Sequence, residues 1–282
     1  MSRGTILLAC ILPALCMIAA CASRPARPAP EACAPTPVSP ATPPAEVASP
    51  PPAPPVAPAP PVAPVPPAPV EPHRPVELAP GLRIDRATRR VEIDGTVPVD
   101  AGSPEQPVVF LEWLVCTPDT KEHESLVVTS VRPSLVHAAL LSLGLEPGAP
   151  GSWEWQETRI VPHPPTGACV RVLVRRQGGV EEPLASWVAD RRSGRSLVDH
   201  FPAEGFVFAG SRTVERQGRV SYRADLDGGM VGLACFSTEL IAFTRLVNPD
   251  ASLEEPVWIA DPARVPPRTT PVTVIIEACS ER

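Results

Sequence analysis

Proline sets the first limit on what this chain can fold into. The 282-residue sequence holds 42 prolines, most of them ahead of Gly81, in runs such as Ser49-Pro-Pro-Pro-Ala-Pro-Pro-Val-Ala-Pro. Proline fixes φ and removes a backbone donor, so neither a helix nor the interior of a sheet forms there. The rest of the stretch from Ala22 to Pro80 is mainly alanine and valine, with too little apolar bulk to offset the cost of ordering. The expected state is a disordered tether of polyproline II character, rising about 3.1 Å per residue. Three regions follow: a leader over 1–20, a lipidated cysteine and tether over 21–80, and one globular domain over 81–282. That last stretch is long enough to bury a core.

The leader explains where such a chain goes. Arg3 precedes an apolar run from Ile6 to Met17, the build of a secretory signal peptide. The run falls short of the roughly 20 apolar residues that a spanning helix needs. Ile18-Ala19-Ala20-Cys21 then places small residues before a cysteine, the pattern of a bacterial lipobox. Cleavage ahead of Cys21 makes it the first residue of the mature chain and the carrier of its acyl groups. The alternative is an ordinary signal peptide cut beside Ala20 or Ala22. Each buried methylene contributes about 0.8 kcal/mol, so two or three acyl chains anchor a protein stably. The expected location is the bacterial cell envelope, lipid-anchored and periplasm-facing. Ala22 stands where a retaining aspartate would favour the inner membrane, which leans the expectation towards the outer one.

Charge and cysteine content narrow the partners. The formal net charge of -6 leaves no basic footprint for nucleic acid. The expected partners are therefore the membrane, through Cys21, and an envelope protein or ligand of unknown identity. Cys10 and Cys16 fall in the leader and Cys33 in the tether, leaving Cys116, Cys169, Cys235 and Cys279 in the domain. An exported protein meets conditions in which disulfides form, and four cysteines allow three pairings. Buried thiols are the expectation for most of the four. No C-x-x-C occurs, so zinc ribbons, redox dithiols and iron–sulfur clusters lack support and no cofactor is implied.

Periodicity outlines the domain. Leu82–Asp85 and Arg90–Gly95 alternate apolar and polar residues across a turn, as a β-hairpin with one solvated face does. Val108–Val115, Leu126–Val131, Cys169–Arg176, Gly205–Phe208, Val220–Arg223, Gly229–Ala234 and Val272–Glu277 continue a series of strands. Trp153 and Trp155 alternate with glutamates and suit either stacking on a sugar or peptide or a half-buried strand. Pro133, suited to a first helical turn, opens an apolar run that Gly144 closes, so a helix over about 133–143 should lie buried against a sheet. The expected fold is α+β, mainly antiparallel sheet with one buried helix. Pro256–Pro271 reads as a loop, and Asp227-Gly228 as a hairpin turn.

The stretch Leu114-Val-Cys-Thr-Pro-Asp-Thr-Lys-Glu-His-Glu-Ser-Leu126 resembles the signature of YdjY-like domains. Pro133–Gly144, Arg90–Gly95, Phe206–Ser211 and Tyr222–Asp225 fit the same pattern, so the resemblance covers about Gly81 to Ala242. It implies no settled biochemical activity. Some relatives are fused to ferredoxin-type iron–sulfur modules, and this chain, lacking clustered cysteines, does not inherit electron transfer.

The signature residues Lys121, Glu122, His123, Glu124 and Ser125 also have a chemistry of their own. A histidine flanked by carboxylates can act as a general base near neutral pH. Cys116 lies across a Pro118-Asp119 turn from His123, so the two make a candidate catalytic pair. Glu122, His123 and Glu124 are candidate metal ligands, although H-E-x-x-H is absent because position 127 is valine. The structural alternative is that these charges cap the helix region or pair with arginines. Gly210-Ser211-Arg212 suits an anion cradle or a tight turn, and His137 reads as a core histidine. Two functions remain: a membrane-anchored binding or assembly domain, or an envelope enzyme or metal-handling protein built on Cys116, Glu122, His123 and Glu124.

Overall fold

The computed structural model describes residues 75–157 and 159–279; the leader, the Cys21 lipobox and the tether up to 74 lie outside the described residues. A meander opens the described chain: β1 (Val76–Ala79), β2 (Leu82–Asp85) and β3 (Arg90–Thr96). The first of these strands falls within the stretch whose composition reads as tether. Strands β4 (Trp113–Cys116) and β5 (Ser125–Val128) flank a 3-10 turn at Glu122–Glu124. Helix α1 (Pro133–Ser142) follows, then the ribbon β6 (Ser152–Gln156) and β7 (Arg159–His163). The long β8 (Ala168–Arg176) turns into β9 (Glu181–Pro183), β10 (Val188–Asp190) and the single turn α2 (Leu197–His200). Next come β11 (Phe206–Phe208), the hairpin β12 (Thr213–Arg216) and β13 (Arg219–Tyr222), and α3 (Arg223–Asp227). Four strands finish it: β14 (Gly229–Gly232), β15 (Ile241–Phe243), β16 (Trp258–Ala260) and β17 (Pro271–Ala278).

Eight of these strands close on themselves in the order β3-β17-β8-β11-β15-β14-β4-β5, with β5 returning to β3 through the pair Thr96 and Val128. The fold is therefore a mostly β barrel, which corrects the α+β reading of a mainly antiparallel sheet with one buried helix. Two of its joints, β14–β15 and β4–β5, are parallel. Alternation in a sequence shows which side chains face inward but not which strand lies beside which, so closure was invisible to it. The helix reading also needs correction. Of α1, only Pro133, Val136, Ala139 and Leu140 are buried, while Leu135 and Leu141 are exposed, and two shorter helices accompany it.

An eight-stranded barrel is narrow enough for side chains to fill it. Cross-strand rows do so here: Val91, Ile276 and Val172 lie in register, as do Ile93, Val274 and Val174, all buried. Many alternate positions of the same strands, together with Arg83 on β2 and Glu181 on β9, carry charge. Asp94, Arg83, Glu92, Arg175, Glu181, Arg90, Glu277 and Arg171 form one unbroken chain of ion pairs of alternating sign, each link 2.5–3.2 Å long. Exposed ion pairs contribute little singly, about 0–1 kcal/mol, and more when linked. Ile275 shares this outer face by register and is nonetheless fully buried, which places it beneath the charged side chains.

Several local readings changed too. Of Val108–Val115 only Trp113 onward is strand, with Phe110 in an isolated bridge to Ile259. Gly228 caps α3 in the left-handed region rather than turning a hairpin. Within Pro256–Pro271, Trp258–Ala260 pairs with β10. Cys169 and Cys279 form a disulfide joining β8 to the residue after β17, while Cys116 and Cys235 are buried free thiols.

Candidate functional site

The chain between β4 and β5 carries the Lys121–Ser125 signature, and its geometry is that of a brace. The Glu122 carboxylate accepts the backbone N–H groups of Asp119 and Thr120, at 2.5 and 2.9 Å, fixing the turn in which Asp119 takes a positive φ. Lys121 Nζ lies 2.8 Å from Glu124 and 3.4 Å from Glu112, and 4.9 Å from the ring centroid of Phe236. Phe236 in turn stacks on the buried Trp113 at 5.2 Å. Burial and then the neighbouring Glu124 charge push the Glu112 carboxyl above its usual range, with Lys121 opposing both. The Ser125 hydroxyl donates to the Lys121 carbonyl at 2.7 Å.

These contacts separate the residues that a catalytic or metal reading needs together. The Cys116 side chain is fully buried; burial pushes its thiol up, and the hydroxyls of Ser125 and Thr120 offset only part of that. The His123 side chain is 77% exposed and its nearest charged partner is Glu124, at 3.9 Å. Glu122 faces backbone amides and Glu124 faces Lys121. Thiolate chemistry needs a depressed pKa and an adjacent base, and Cys116 has neither. Among the described residues no three His, Cys, Asp or Glu side chains gather as a metal site would require.

A second polar cluster lies where α1, β11 and β13 meet. His137 Nδ1 is 2.8 Å from the Tyr222 hydroxyl, which donates to the Gly210 carbonyl at 2.9 Å. The histidine ring sits edge-on to Phe208 and Tyr222. Burial lowers His137 below its usual range, only partly offset by the Gly210 carbonyl, so the ring is neutral near pH 7. Since the tyrosine proton goes to Gly210, His137 Nδ1 must donate to the tyrosine oxygen. Beside it Asp225 accepts the Ser134 backbone N–H and hydroxyl, at 2.8 and 2.6 Å. It thereby caps α1, whose own N-cap residue, Arg132, makes no side-chain capping bond. Gly210 and Ser211 both take positive φ, and their amides donate to the Leu240 and Glu239 carbonyls, each at 2.9 Å, so neither is free to cradle an anion.

An open groove of about 690 Å³ lies beside the barrel seam. Its walls are the β3–β5 junction (Asp94, Thr96, Thr129, Ser130), the end of β8 and its turn (Arg175 to Gly178), and the start of β17. The seam floor is tight: a Cβ on Gly95 would lie 2.6 Å from Val127 Cγ1 and 2.8 Å from the Val128 carbonyl oxygen. Thr129 finishes the junction by donating its hydroxyl to the Asp94 carbonyl at 2.7 Å. The groove's charged groups are already engaged. Arg83 holds the Asp94 carboxyl below the usual range, against the effect of partial burial. Arg175 pairs with Glu92 and Glu181.

The YdjY domain model matches residues 82–277. The chain belongs to the YdjY domain family. No curated protein and no solved structure matches it. In this YdjY domain the signature segments converge on joints of the barrel: Gly95 at the seam, Lys121–Ser125 as the brace between β4 and β5, His137 with Tyr222, and Asp225 as the helix cap. The groove of the YdjY domain had no separate signal in the sequence, since its walls come from segments far apart in the chain. The Gln177-Gly178-Gly179 turn marks only one of them.

Proposed function

We propose that this protein is a membrane-anchored envelope lipoprotein whose YdjY domain binds an envelope partner, with the seam groove as the contact site. The observation that carries the reading is the groove itself, about 690 Å³ and open, its walls combining hydroxyls and apolar proline and valine side chains with Asp94, Arg175 and Arg176, each already held in an ion pair. Anchoring rests on the Ile18-Ala-Ala-Cys21 pattern and the proline-rich stretch behind it. The outer membrane is the favoured site, from Ala22. The engagement of Lys121, Glu122 and Glu124 within the domain supports binding over catalysis.

Photo-crosslinking in intact cells tests it, with the reactive residue placed at Thr96 or Ser130 in the groove, or at the distant exposed Leu253 as control. Discrete adducts from the groove positions alone are expected, together with release of a Cys21→Ser chain from the membrane fraction. Equal labelling at all three positions, or membrane association indifferent to Cys21, would overturn the corresponding half of the proposal.

A further inference from the structure

The Cys169–Cys279 bridge is within reach of solvent, whereas Cys116 and Cys235 are buried and free. Both half-cystines are half-buried and line a second groove, of about 450 Å³, with Arg89, Glu146 and Pro147 among its walls. This groove lies at the opposite end of β8 and β17 from the seam groove, whose walls include Arg175, Arg176 and Pro271. The two half-cystines are held unequally. Cys169 lies within β8, in register with Val207 of β11. Cys279 stands beyond β17, and its N–H donates to the Cys169 carbonyl at 3.1 Å. Arg89, in the turn between β2 and β3, accepts the Ala278 N–H on its carbonyl at 3.2 Å. Among the described residues its guanidinium is in no ion pair. Glu146 is the other charged residue of the groove wall.

We propose that this bridge is an exchangeable disulfide and that the groove receives the reactive loop of a dithiol protein. A thiolate of the partner attacks Cys279 Sγ, and a mixed disulfide forms as the Cys169–Cys279 bond breaks. The Cys169 sulfur leaves with the electron pair as a thiolate and takes up a proton from water. The partner's second thiol gives up its proton, attacks the partner's own sulfur in the mixed disulfide and frees Cys279. Two electrons thus pass from the partner, oxidised to a disulfide, to Cys169 and Cys279, now two thiols; the reverse sequence restores the bridge. Cys279 is the sulfur attacked because it stands beyond the paired strand, whereas Cys169 is fixed in β8 between β17 and β11. Thiolates form more readily in electropositive surroundings, which Arg89 supplies against Glu146. Solvent-exposed bridges are the labile ones, and exchange here stays local. After reduction β17 remains paired with β3 through Pro271–Glu277 and with β8 through Val272–Ala278.

Two probes applied to the full-length oxidised chain in native buffer test this. The first is thioredoxin with its second active-site cysteine replaced by serine, which holds any mixed disulfide it forms. An adduct at Cys279, mapped by peptide mass, is expected. The second is dithiothreitol, which should release Cys169 and Cys279 at a rate that does not change with urea below the unfolding transition. Cys116 and Cys235 should stay closed to alkylation throughout. Because a groove orients the incoming sulfur, thioredoxin should react about tenfold faster than dithiothreitol at equal thiolate concentration. Arg89→Glu should slow both reactions about threefold, the effect of a tenfold change in thiol acidity at a Brønsted coefficient of about 0.5. No adduct, or one that appears only as Cys116 and Cys235 become reactive, overturns the proposal. So does a dithiothreitol rate that climbs with urea, which marks a bridge reached only through unfolding. Equal rates for the two probes overturn docking in the groove, and an adduct at Cys169 overturns the order of attack.

Discussion

At Gly95 the neighbours are so close that any side chain would meet the Val128 carbonyl across the seam. Gly95→Ala should therefore strain the closing pair of the barrel. The expected loss is about 1–3 kcal/mol, the usual cost of overpacking a close contact. Urea unfolding measures it, and an unchanged midpoint would show that the seam yields freely. His137 gives a second test at this scale. Its folded form resists protonation, so the unfolded chain binds the proton more readily. Stability from this group is present in full above the ordinary value of 6.5 and declines as pH falls through the window below it, levelling once the folded histidine is also charged. His137→Gln should lack that part of the slope in thermal melts between about pH 7 and pH 5. Parallel slopes for the two chains would refute the assignment. The residues at issue were visible in the sequence. Their roles were not, because Gly95 matters through Val128, and His137 through Tyr222 and Gly210, none of them near in the chain.

Among elements, α1 shows how much a one-dimensional reading captures. Pro133 and Gly144 bracket it as local rules demand, and Gly144 takes the left-handed conformation that ends the helix. What starts the helix is tertiary: Asp225 reaches across from α3 to the Ser134 amide. Asp225→Ala should cost about 1 kcal/mol. Paired with Ser134→Ala it should cost less than the sum, since both changes remove the same hydroxyl bond. Full additivity in that cycle would mean that the bond contributes nothing. The candidate site divides in the same way. The Lys121–Ser125 signature was legible as a cluster of charges, but its internal pairing depends on Glu112 and Phe236, which reach it only because β4, β5 and β14 are neighbours.

Across the whole domain, one covalent link spans the fold. The Cys169–Cys279 bridge encloses 110 residues of sequence and ties the end of β17 to the start of β8. Replacing both cysteines by serine should lower stability by about 2–5 kcal/mol. Urea midpoints with and without reductant check this, and identical midpoints would show that the strand pairing alone holds the last strand. Cys116 and Cys235 should stay unreactive to thiol reagents until the domain opens, because both are buried and burial holds their thiols up, that of Cys235 to about 11.

The place of β17 bears on timing. It is the last strand among the described residues, yet it lies between β3, among the first, and β8. Until it arrives, β3 and β8 have no common partner and the two rows of interior valines and isoleucines face water. A chain threaded through a membrane from its N-terminal end would emerge with its barrel incomplete and could close only once the final strand had crossed. Closure of this barrel thus waits on β17. Loss of β17 should leave an unfolded chain rather than a smaller barrel.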